Sequence, residues 1–86
     1  MGYEPQYSKA AEKYLDSQTN AVRRRIMDAV EGLPGGDVIK LSGRDGYRLT
    51  VGGYRVLFDY TDRITDGGDS IIDIVLIGPR GDVYKK

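Results

Sequence analysis

Three short stretches in the second half of the chain carry the residues best suited to chemistry. They are Gly46-Tyr47-Arg48-Leu49-Thr50, Gly53-Tyr54-Arg55-Val56 and Gly78-Pro79-Arg80-Gly81-Asp82-Val83-Tyr84-Lys85. The sequence has no His and no Cys. Imidazole and thiolate catalysis are therefore excluded, and proton transfer falls to Tyr, Lys, Arg, Asp or Glu. Arginines grouped with one tyrosine suit a phosphodiester better than an acyl group. Guanidinium forks hold phosphoryl oxygens and absorb the charge that grows on them, while the phenol moves a proton. The combination points to RNA.

Tyr84 is the residue expected to move that proton. A free phenol titrates near about 10 and is a poor base at neutral pH unless cations surround it. Arg55, Arg80 and Lys85 would supply the field, so that Tyr84 could deprotonate a ribose 2′-hydroxyl attacking the adjacent phosphorus. Arg55 and Arg80 would hold the phosphoryl oxygens. Arg48, on the neighbouring strand, and Lys40 and Arg44, flanking a glycine turn, join Lys85 as candidate substrate contacts. No cofactor and no metal is needed: the aspartates are scattered through acidic loops without ligand spacing. The same residues also fit a structural reading, with Tyr84 packed at the end of the sheet and the cations as solvated surface charge.

Those residues need a scaffold, and 86 residues allow one domain, 1–86, with one modest core. The formal net charge is zero, which argues against a protein that coats nucleic acid indiscriminately. The charge is nevertheless segregated. Lys40, Arg44, Arg48 and Arg55 face Asp45 alone between 40 and 56, whereas Asp59, Asp62, Asp66, Asp69 and Asp73 face only Arg63 further on. Arg80, Lys85 and Lys86 make the tail basic again. Folding that joined the two basic segments would create a positive patch on a neutral body. Absence of Cys, of a leader-like N-terminus and of any span-length apolar run predicts a cytoplasmic protein that does not enter a membrane.

The elements follow from periodicity. Tyr7, Ala10, Ala11, Tyr14 and Leu15 mark one face of a first helix. Thr19 is a candidate N-cap for a second, with Val22, Ile26, Ala29, Val30 and Leu33 as its apolar stripe and Gly35-Gly36 as its stop. Within it, Arg23-Arg24-Arg25 reads as a solvated face, with docking on RNA as the alternative. Tyr3 to Gln6 suits an edge strand, since Pro5 is poorly placed in a central one. After residue 47 the period becomes two, and Gly52-Gly53 reads as a tight hairpin turn. That register opposes Val51 to Tyr54, Thr50 to Arg55 and Arg48 to Leu57, placing Arg48, Thr50 and Arg55 on one face. Tyr47 and Tyr54 should point the other way, into the core. Ile71 to Ile77 is a buried strand that Gly78-Pro79 ends.

The ordered set resembles the RelE/ParE superfamily of toxins from toxin–antitoxin pairs. It comprises Ser8-Lys9-Ala10-Ala11-Glu12-Lys13-Tyr14-Leu15, then Lys40-Leu41-Ser42-Gly43, then Tyr47-Arg48-Leu49-Thr50-Val51-Gly52-Gly53-Tyr54-Arg55-Val56, then Ile77-Gly78-Pro79-Arg80-Gly81-Asp82-Val83-Tyr84-Lys85. The resemblance covers Tyr7 to Lys85. It implies an α+β, microbial ribonuclease-like fold in which an N-terminal helix hairpin packs on a small, mainly antiparallel twisted sheet. It further implies a metal-independent endoribonuclease that cleaves mRNA in the ribosomal 30S A site by 2′-hydroxyl attack. A cognate antitoxin would hold it inactive, and DNA would be met only through the antitoxin complex. Arg55 matches the strand arginine, Arg80 the C-terminal arginine and Tyr84 the terminal tyrosine, while Arg48 takes one of two basic positions on the preceding strand. Two departures stand out: Thr50 occupies the second basic position, and Pro79 stands where many relatives carry His. The sister branch, which poisons DNA gyrase without catalysis, shares the scaffold but generally lacks the Arg-and-Tyr set. A catalytically degenerate toxin serving only as antitoxin partner and co-repressor is the third reading.

Overall fold

In the computed structural model, which describes residues 2–79, two helices lie on one face of a five-stranded mixed sheet. The chain enters at one sheet edge with β1 (Tyr3–Tyr7) and crosses the sheet through α1 (Lys9–Asp16) and α2 (Asn20–Glu31). It then returns as a meander, β2 (Asp37–Lys40), β3 (Tyr47–Val51), β4 (Tyr54–Ile64) and β5 (Ser70–Pro79). The spatial order is β1-β5-β4-β3-β2, with β1 parallel to β5 and every other pairing antiparallel.

Side-chain oxygens start both helices. Ser8 accepts from the Ala11 amide at 3.0 Å and Thr19 from the Val22 amide at 3.2 Å, each satisfying an N–H that has no partner within its helix. Ser8 also donates to the Val75 carbonyl at 2.7 Å, which fastens the start of α1 to β5. Tyr7 is the last residue of β1 rather than part of the first helix. Its helical offset from Ala11 arises because it packs on the core that α1 covers.

The core lies between helices and sheet. Ala11, Leu15, Ile26 and Val30 meet Leu49, Val51, Val56, Phe58, Ile72, Ile74 and Ile77. Three findings modify the expected strands. β2, a four-residue strand over Asp-Val-Ile-Lys, covers the outer edge of β3. In β5 the pairing steps from Leu57–Leu76 to Phe58–Ile74, so Val75 is bulged out of the ladder and half exposed instead of buried. Pro79 also belongs to β5, opposite Tyr54, so the strand runs two residues beyond the expected stop.

Candidate functional site

The β3–β4 hairpin adopts the register its glycine pair predicts: Val51 opposes Tyr54, Thr50 opposes Arg55, Leu49 opposes Val56 and Arg48 opposes Leu57. A period of two then divides the residues. Leu49, Val51 and Val56 are buried against the helices. Arg48, Thr50 and Arg55 share the opposite face, on which neither helix packs. Neighbouring strands extend this row. Asp37 of β2 opposes Thr50, Ile39 opposes Arg48, and Gly78 of β5 opposes Arg55. A glycine in that place gives Arg55 no side chain to contend with across the ladder.

Arg55 is half-buried and anchored. Its Nη1 donates to the carbonyls of Gly52 at 3.1 Å and Tyr54 at 3.0 Å, so the guanidinium lies along the hairpin turn. Arg48 is half-buried as well, beside Leu57, which keeps only 3% of its surface exposed. Arg44 approaches the same face from the β2–β3 connection, where it lines a shallow depression with Leu57, Asp59 and Val75. Lys40 does not join them. It is paired with Tyr47, one position out of phase with Arg48, and its Nζ sits 5.1 Å from the Tyr47 ring centre on the helix-bearing face. Lys40 thus stands on the other face of the sheet from Arg48 and Arg55, in cation–π contact with Tyr47.

Arg80, Tyr84 and Lys85, together with Asp82, lie outside the described residues. β5 ends at Pro79, whose register partner Tyr54 adjoins Arg55. Two described tyrosines have displaced titrations, both upward. Burial, then the charge of Glu31, pushes the Tyr7 phenol up to about 12. Burial, then Tyr3 and Tyr47, raises Tyr60. Both shifts run against what a general base requires.

The sheet also carries a row of aromatic rings. Tyr47, Phe58, Tyr60 and Tyr3 form a chain of rings with centroid separations of 5.1–6.0 Å. Tyr47 and Tyr54 pack on the core as expected, but Tyr3 and Tyr60 emerge at the surface.

The triple arginine of α2 is also more differentiated than a solvated face. Arg23 clamps the preceding turn: its Nε donates to the Leu15 carbonyl at 3.1 Å, Nη2 to that of Gln18 at 3.0 Å, and Nη1 to Asn20 Oδ1 at 2.5 Å. The last carbonyls of α1 need such donors. Arg25 lies against Gly52 of the hairpin. The available sequence signal was its place one residue before Ile26, at the border of the buried stripe. Arg63 is removed from the site altogether, paired with Asp73 at 2.5 Å and donating to Gln6 at 3.3 Å. Among the described residues, no three carboxylates converge on a position that would hold a metal ion, and no helix is long and apolar enough to cross a membrane.

Compared with known proteins, the chain matches no family model and no curated protein.

Proposed function

We propose that the chain is a RelE-type toxin: a metal-independent, ribosome-dependent endoribonuclease that cleaves mRNA in the A site and is held inactive by a cognate antitoxin in the cytoplasm. The observation that carries this reading is the alignment of Arg48, Thr50 and Arg55 on the helix-free face of the hairpin, in a chain whose motif order resembles the RelE branch. In this reading the helix pair and sheet are a RelE-like scaffold. Arg55 and Arg80 hold the phosphoryl oxygens of the scissile link and neutralise charge in the transition state. Tyr84, as its phenolate, accepts the 2′-hydroxyl proton, the attacking oxygen forms a bond to phosphorus, and the bond to the 5′-oxygen breaks; that oxygen takes a proton from solvent water, leaving a 2′,3′-cyclic phosphate and a 5′-hydroxyl. Arg48 and Arg44 contact flanking phosphates.

Thr50 favours a second reading. It removes a cation from the centre of the row, and Asp37 opposes it with negative charge, as suits a toxin that has lost its chemistry and persists as an antitoxin partner. Primer extension on a defined mRNA in a purified translation system, with chelator and with or without ribosomes, separates the two. Cleavage only on ribosomes, lost in Tyr84→Phe, supports the nuclease. Intact mRNA in every condition removes it and directs the search to gyrase-dependent DNA damage or to antitoxin binding alone.

A further inference from the structure

Helix α2 brings a guanidinium to the hairpin turn. Gly52 takes φ +59°, in the left-handed region, and a Cβ built there would stand 3.0 Å from Cζ of Arg25, with a terminal nitrogen closer still. Arg25 thus occupies the space that any side chain at 52 would need. From the sheet, Arg55 reaches the same residue through its 3.1 Å bond to the Gly52 carbonyl. Linked through the covalent geometry of one residue, these contacts place the two guanidinium groups no more than about 9 Å apart.

Neither arginine has an acidic partner among the described residues, where the ion pair is Arg63–Asp73. Two cations brought to one turn repel each other, and an anion between them turns that repulsion into attraction. A phosphodiester accepting charge-assisted hydrogen bonds of about 2.8 Å from each side can span such a gap. The two groups also come from different layers, one from the helices and one from the sheet. A ligand held by both is therefore fixed relative to the row that continues through Thr50 and Arg48.

We infer that Arg25 and Arg55 form a phosphate clamp astride the β3–β4 turn, and that its ligand is the sugar–phosphate backbone of single-stranded RNA. The choice of RNA rests on the function proposed above; the clamp itself rests on the geometry at Gly52. Arg25 has no part in the chemical step and acts by positioning the strand.

The test uses the full chain and a fluorescein-labelled 2′-O-methyl oligoribonucleotide, which lacks the attacking hydroxyl and cannot be cleaved. Anisotropy titrations across a range of salt compare Arg25→Ala, Gly52→Ala and Arg24→Ala with the parent. Arg25→Ala should weaken binding several-fold and lower the salt slope by about 0.7, the value of one phosphate contact on a single strand. Gly52→Ala should give the same loss although it removes no charge, because it displaces the Arg25 guanidinium; thermal melts confirm that the variant is folded. Arg24→Ala removes one charge from the adjacent position and should leave the slope unchanged. Equal losses in Arg24→Ala and Arg25→Ala, parent-like binding by Gly52→Ala, or no binding by the parent chain would each overturn the clamp. Clamp-dependent binding by a protein that leaves ribosomal mRNA intact would keep the clamp and remove the nuclease.

Discussion

Tyr7 offers a test of the structure that needs no substrate. Its hydroxyl is sealed and makes no hydrogen bond among the described residues, while the residue as a whole is partly exposed. Burial first, and the charge of Glu31 second, carry its pKa to about 12 from an ordinary 10.0. Below pH 10 folded and unfolded chains both keep the proton, and the contribution to stability is complete. Between pH 10 and 12 the unfolded chain ionises while the folded chain does not, so stability falls as pH rises through that window. At pH 11 the ceiling is about 1.4 kcal/mol, one pKa unit's worth. Solvent screening of the partly exposed side chain lowers the expectation to about 1 kcal/mol. Tyr7→Phe removes a sealed, unsatisfied hydroxyl, so at pH 8 it should leave stability within about 0.5 kcal/mol of the parent or raise it. Urea unfolding of both proteins at pH 8, 9, 10 and 11 measures the difference. The parent should lose about 1 kcal/mol relative to Tyr7→Phe by pH 11. Parallel curves would refute the burial of the phenol, and a Phe variant weakened by more than about 1 kcal/mol at pH 8 would show that the hydroxyl is bonded.

Three further outcomes follow from named contacts. Arg55→Ala should reduce ribosome-dependent cleavage by about 10²–10³-fold, the loss typical of one preorganised charge-stabilising donor; Arg55→Lys should recover only part of it, since an ammonium cannot replace the planar guanidinium fork in phosphate recognition. Thr50→Lys restores the second basic position beside Arg48 and Arg55 and should steepen the salt dependence of oligonucleotide binding by about 0.7; an unchanged slope would mean that the row does not contact the strand. Arg23→Ala strips two donors from the carbonyls of Leu15 and Gln18 and should cost about 1–2 kcal/mol, read as a drop of roughly 4–16 °C in Tm.

How much of this was legible in the sequence depended on whether the signal was local. The hairpin register was, because Gly52-Gly53 pins a two-residue turn and the alternation of Arg48, Leu49, Thr50 and Val51 assigns the faces. The cap at Thr19 is similarly self-contained, whereas the cap at Ser8 was hidden because Tyr7 fitted the helical stripe. β2 was not legible, because four residues with one half-buried valine carry almost no periodicity. That strand exists because the edge of β3 offers it a partner. Tyr7 satisfied a helical spacing from inside a strand, since β1 and α1 border the same core. The exposure of Val75 required knowing that β5 bulges where it crosses β4. Arg23 and Arg25 were hardest of all. Their identities matched a solvated face, and only the crossing of α2 over the α1 turn and the β3–β4 hairpin gives each a separate task.

A net charge of zero conceals the property that matters most for an anionic ligand. β4 is eleven residues long, and at about 3.3 Å per residue Ile64 lies roughly 30 Å along the strand from Arg55. Arg25, Arg48 and Arg55 gather near the hairpin end, while Asp62, Asp66 and Asp69 lie on or beyond the far end of β4. Asp66 and Asp69, beyond that end, lie more than three Debye lengths from Arg55 at physiological salt, about 8 Å each, so they do not cancel the field at the hairpin. Arg63 and Asp73 neutralise each other between the two. The sheet is therefore polarised along its strands. A nucleic-acid backbone approaching this surface is drawn to the hairpin and repelled from the β4–β5 turn, which orients the strand before any specific contact forms. Such a small neutral chain needs only that local field if a larger RNA assembly delivers the substrate, and it would bind free RNA weakly for the same reason.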